Sequence, residues 1–157
     1  MNILWVKDGK IGHEKQVKVL LDEISKSTEV SITEYVIPPF SVQEFLSNLF
    51  KKTPLIDNEF DIVIGAGHST YSKILNFKKV SKNKAFAIAL LVPSLFKNKF
   101  DLICAPSHDS YKIKDTNNVI FFEGSLAKVS DSEPNSDIGF IALGGQNKHY
   151  EFNESHI

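Results

Sequence analysis

Arginine is missing from this sequence; all 18 basic residues are lysine. Any anion site must therefore work without the planar, bidentate guanidinium fork, using point charges and backbone N–H groups instead. Cysteine is reduced to Cys104. One thiol cannot build a disulfide framework, and its place inside an apolar run reads as a buried, inert side chain. Long hydrophobic runs are absent too, and no stretch reaches the roughly 18–20 apolar residues of a membrane span. Nineteen acidic residues against 18 lysines leave a net charge of −1, which marks no nucleic-acid surface and no binder of anionic membranes. Met1 leads directly into a strand-like segment, with no apolar leader and no Arg-rich transit segment. A cytoplasmic chain without nucleic acid or an integral membrane segment is the expectation.

What is present is ordinary globular material. The 157 residues are 42% hydrophobic, enough for one domain with a real core, or for one domain and the start of another. Short apolar runs alternate with helical patterns. Ile3–Val6 reads as a strand; Val17, Leu20, Leu21 and Ile24 then recur as one helical stripe. Val30–Ile37 alternates like a strand and stops at Pro38-Pro39, which cannot continue a ladder. Ser41 and Glu44 form a capping-box pattern ahead of a face of Val42, Phe45, Leu46, Leu49 and Phe50. Asp61–Ile64 is a further strand, followed by a helix through Tyr71, Ile74 and Leu75. Ala85–Leu91, Leu102–Ala105, Val119–Phe122 and Ile138–Leu143 complete the strands. This alternation predicts an α/β protein with a doubly wound, mostly parallel, Rossmann-like sheet and helices on both faces. Residues 1–130 form the expected N-terminal domain, the polar stretch 131–137 a linker, and 138–157 the start of a second domain.

Ligands of open α/β sheets bind at the carboxyl ends of the strands. Gly9 and Gly12 follow the first strand, Gly65 and Gly67 the third, Gly144 and Gly145 the last. His13, His68, His108 and His149 follow strand ends as well, so four of the five histidines and six of the eight glycines belong to one edge. A cleft there is expected. The histidine spacing does not suggest zinc, and neither a metal nor a cofactor is expected. Common nucleotide fingerprints also fail. "DGKIGH" is Gly-x-x-Gly rather than Gly-x-Gly-x-x-Gly, and Leu4 and Ile11 occupy positions that a P-loop reserves for glycine and a hydroxyl residue. "GAGHST" lacks the Gly-x-Ser-x-Gly of a nucleophile elbow, and its Ser69 and Thr70 read as helix caps.

Five stretches in order, "DGKIGHEKQ", "DIVIGAGHST", "FDLICAPSHD", "NVIFFEGSLAKV" and "IALGGQNKHYEF", resemble the mitochondrial-fission Elm-type (elongated mitochondria) family, in its bacterial, glycosyltransferase-like branch. The resemblance spans nearly the whole chain. It implies a two-domain GT-B arrangement of about twice this length, of which this chain is the N-terminal half. Where members often carry a Gln-x-x-Asp-Pro-Arg-like stretch, this chain has "IALLVPSLF". The implied function is binding of a nucleotide-sugar or its sugar acceptor in an interdomain cleft for glycosyl transfer. The implied partner is a missing second half or, for a self-associated dimer, a second copy, and the truncated chain is expected to be inactive. His13 becomes the expected general base, with imidazole titrating near neutrality, and Asp8 the group that orients it or contacts the acceptor. Gly9, Lys10, Gly12, Gly65, Gly67, His68, His108 and Asp109 become substrate-binding residues, and Gly144, Gly145 and Gln146 the turn that opens the donor half. The alternative is a non-catalytic adaptor, because plant relatives recruit a dynamin-type fission GTPase.

Overall fold

The four residues Ile3, Leu4, Trp5 and Val6 are all buried. A strand with no solvent-facing side belongs in the middle of a sheet covered on both faces, and that is where the computed structural model places it. The structure describes residues 1–38, 59–81, 84–114, 117–129, 133 and 136–141. Its elements are β1 (Asn2–Lys7), α1 (Ile11–Ser27), β2 (Ser31–Val36), β3 (Ile62–Ala66), α2 (His68–Val80), β4 (Phe86–Leu90), β5 (Leu102–Pro106) and β6 (Val119–Phe122). Short 3-10 turns occupy Lys97–Lys99 and Ser107–Lys112. The six strands form one sheet in the order β2-β1-β3-β4-β5-β6, and every neighbouring pair is parallel.

Side chains alternate across the pleat and so build two cores. Leu4, Val6, Val63, Ala87, Ala89, Ile103 and Ala105 meet Tyr71, Ile74 and Phe77 of α2. Ile3, Trp5, Ile64, Ala66, Ile88, Leu90 and Cys104 meet Val17 and Leu21 of α1 on the other face. The helices thus cover opposite faces of a Rossmann-like, doubly wound sheet. Trp5 also supports a charged corner, where Lys7 sits over its ring and pairs with Glu14 and Glu34.

The connections from β4 to β5 and from β5 to β6 hold only the 3-10 turns among their described residues. After β4 the backbone enters the left-handed region at Leu91 (φ 70°) and again at Phe96 (φ 57°), conformations that non-glycine residues seldom adopt. The expected strand Ile138–Leu143 is not formed over its described part. Residues 138–141 carry no strand, and Ile138, Phe140 and Ile141 are exposed. Their apolar pattern suits a strand, but no described strand pairs with them. The Ser41–Phe50 helix, most of the 131–137 linker, Gly144, Gly145, Gln146 and His149 lie outside the described residues.

Candidate functional site

Because all six strands run the same way, whatever follows each strand arrives at one edge of the sheet. The chain winds outward from β1 to β2 on one side and from β3 onward on the other. The topological switch therefore falls between β1 and β3, where such sheets open a crevice at the strand carboxyl ends. Asp8 follows β1 and Gly67 follows β3, so both stand at that switch.

Gly9 has φ 76°, which a side chain would strain, and it turns the chain from β1 into α1. The turn folds Asp8 back onto the helix start. Its Oδ1 accepts the Lys10 backbone N–H at 3.1 Å, an Asx-type arrangement. Its Oδ2 accepts from His13 Nδ1 at 2.8 Å and from the Ser69 hydroxyl at 3.3 Å. The Asp8 side chain is only 3% exposed. Burial pushes its carboxyl up, but the His13 and Lys10 hydrogen bonds, with the charges of those residues, outweigh this and hold it below the ordinary carboxylate value. A carboxylate only accepts, so Nδ1 of His13 carries the proton and Nε2 of the neutral ring keeps the lone pair.

Gly67 closes the arrangement from the β3 side. Its φ is 89°, and a Cβ there would stand 2.5 Å from His13 Cε1 and Nδ1 and 3.0 Å from Asp8 Oδ2. Only glycine lets the start of α2 lie against the Asp8–His13 pair. Gly65 serves packing instead, since a Cβ on it would meet the Val6 carbonyl at 2.7 Å and Thr70 at 3.1 Å. Gly12 has open space above it and lies within α1, so nothing there demands glycine.

A cleft of about 470 Å³ opens at this edge, within the usual range for small-molecule sites. His13, His68 and His108 all line it, with Lys10, Gly67 and Asp109. Asp8 stands behind His13, while Gly9, Gly12 and Gly65 are not part of the lining. Sequence reasoning missed Gln16, Tyr71, Leu91, Val92, Pro106, Lys112, Gly124 and Ser125, which also line it. Tyr71 is buried, its hydroxyl donating to the Leu90 carbonyl at 2.9 Å, and burial pushes that hydroxyl well above the ordinary tyrosine value. Lys112 pairs with Asp109 at 2.5 Å, and the hydrogen bond it donates to that carboxylate raises its ammonium above the usual lysine value.

Ser69 and Thr70 do not cap α2. Ser69 reaches across to Asp8, and the Thr70 hydroxyl donates to the Gly67 carbonyl at 2.8 Å. At the start of α1 the Asp8 carboxylate takes the Lys10 N–H, which sets a negative charge beside that helix end. Among the described residues no group of three His, Cys, Asp or Glu side chains is placed to hold a metal ion, and no helix is long and apolar enough to cross a membrane.

Comparison with known proteins gives one match. The family model described as Mitochondrial fission ELM1 covers residues 11–157. No curated protein and no solved structure matches the chain.

Proposed function

The chain belongs to the mitochondrial fission ELM1 family, and from that premise we propose that its cleft is the acceptor side of a GT-B-type glycosyl-transfer site with His13 as general base. One observation carries the reading. The Asp8–His13 pair sits at the β1/β3 switch point, its carboxylate buried and its imidazole on the cleft wall.

The chemistry follows from the proton positions. An acceptor hydroxyl gives its proton to Nε2 of His13 as its oxygen bonds to the anomeric carbon of a nucleotide-sugar. The bond from that carbon to the diphosphate breaks, and the nucleoside diphosphate leaves with the electron pair. Asp8 holds the ring in the required tautomer and stabilises the imidazolium that forms, as carboxylates do in other carboxylate–histidine bases. General-base assistance contributes about 10²–10⁴-fold to rate. In this reading the donor diphosphate belongs to the turn at Gly144, Gly145 and Gln146.

The test is release of nucleoside diphosphate by the full-length protein from a panel of uridine and guanosine diphosphate sugars, with polyhydroxyl acceptors present. Acceptor-dependent release that collapses in Asp8→Asn supports the proposal. No release across the panel, or release indifferent to Asp8→Asn, counts against it. The adaptor reading has exposed apolar side chains on its side, Leu95 and Phe96 among them. It predicts partner recruitment that survives His13→Ala.

A further inference from the structure

The cleft holds a second imidazole whose orientation is set differently from that of His13. His68 is the first residue of α2, adjacent to the glycine that carries the His13 ring. Its Nδ1 lies 3.3 Å from the Ser94 hydroxyl oxygen. Its ring stands edge-on to Tyr71, with centroids 5.7 Å apart and planes at 87°, and Tyr71 is itself fixed by its bond to Leu90. Ser94 is delivered by the stretch between the two left-handed residues, Leu91 and Phe96. Backbone held in such conformations is a feature that clusters at ligand sites.

The two partners constrain their rings differently. A carboxylate can only accept, so His13 is protonated at Nδ1 and presents a lone pair at Nε2. A hydroxyl can donate or accept; where Ser94 donates to Nδ1 of His68, that ring carries its own proton at Nε2. In that state one cleft offers an acceptor nitrogen and a donor nitrogen. Of the two lysines that line it, Lys112 pairs with Asp109, while the largely exposed Lys10 ammonium lies 3.9 Å from Asp8.

We propose that His13 and His68 form a complementary imidazole pair that selects a neutral hydroxyl group, His13 accepting its proton and His68 donating to its oxygen, with Ser94 as the residue that positions His68. This rests on the reading of His13 as a base and extends it to the class of group bound. An alcohol of a sugar or polyol satisfies both nitrogens at once. A phosphate dianion brings negative charge against the Asp8 carboxylate behind His13, which a neutral hydroxyl does not.

Tautomers are read directly from long-range ¹H–¹⁵N correlation spectra of the full-length protein labelled at histidine, at a pH well above the ordinary imidazole range. The expected spectrum shows His13 as the Nδ1–H form and His68 as the Nε2–H form. In Ser94→Ala, His68 moves to the averaged shifts of an unrestrained ring while His13 stays unchanged, and Ser94→Thr restores the wild-type pattern. Inorganic phosphate at tens of millimolar moves neither ring. His68 found as Nδ1–H, or already averaged in the wild type, overturns the pairing while leaving the base reading intact. His13 found as Nε2–H overturns the base reading and the pairing with it. Saturable phosphate shifts at either ring overturn the selection of a neutral group.

Discussion

Replacing Gly67 by alanine tests whether the Asp8–His13 pair depends on a missing side chain. At φ 89° and ψ 155° the backbone lies in a region essentially reserved for glycine, where another residue costs about 1–3 kcal/mol. The new methyl carbon would also sit 2.5 Å from two ring atoms of His13, well inside van der Waals contact. The ring can escape only by turning, which gives up its 2.8 Å bond to Asp8. Hydrogen bonds to charged groups contribute about 1.5–3 kcal/mol. The two effects overlap, so the expected destabilisation is about 2–5 kcal/mol. For a chain of this size that lowers the melting temperature by roughly 5–15 °C. Thermal unfolding followed by circular dichroism is the assay, with Gly12→Ala as the control. Gly12 has nothing near its open position, and alanine there should be neutral or stabilising by up to about 1 kcal/mol. A Gly67→Ala protein that melts with the wild type and keeps the His13 Nδ1–H signal would refute the reasoning.

Three further outcomes follow. The Asp8 carboxyl titrates below its ordinary value in the folded state, so its stabilising effect is present above the unfolded value of about 3.9 and lost as pH falls through the folded one. Urea unfolding should therefore show the stability gap between wild type and Asp8→Asn closing as pH drops through about 4 and below; a gap that widens there contradicts the assignment. Thr70→Val removes a buried hydroxyl from the Gly67 carbonyl and should cost about 1 kcal/mol in the same assay. Cys104 is buried, and burial pushes its thiol up, so a thiol reagent should modify it promptly only after denaturation.

The sheet was legible because strands covered on both faces write themselves as unbroken apolar runs, as in Ile3–Val6. Residues that follow those runs arrive at one edge when the described strands are all parallel, which is why His13, His68 and His108 could be grouped from the sequence. Asp8 and His13 were brought together by the family resemblance, and their contact is local, five residues apart across a glycine turn. Contacts that depend on strand order were invisible. Ser69 lies 61 residues from the carboxylate it donates to, and Ser94 lies 26 residues from His68. Nothing local distinguishes these serines from ordinary helix or loop hydroxyls. The requirement for glycine at Gly67 is likewise tertiary, set by the ring of His13. Ile138–Leu143 shows the converse, a strand-like pattern whose described residues meet no neighbouring strand.

The most direct test of His13 as general base in this cleft is turnover and donor affinity measured side by side for the full-length wild type and His13→Ala, with folding checked by circular dichroism. Turnover should fall about 10²–10⁴-fold while the donor dissociation constant stays unchanged, because the imidazole acts on the acceptor proton rather than on the diphosphate. Undiminished turnover in a folded His13→Ala protein would contradict the account.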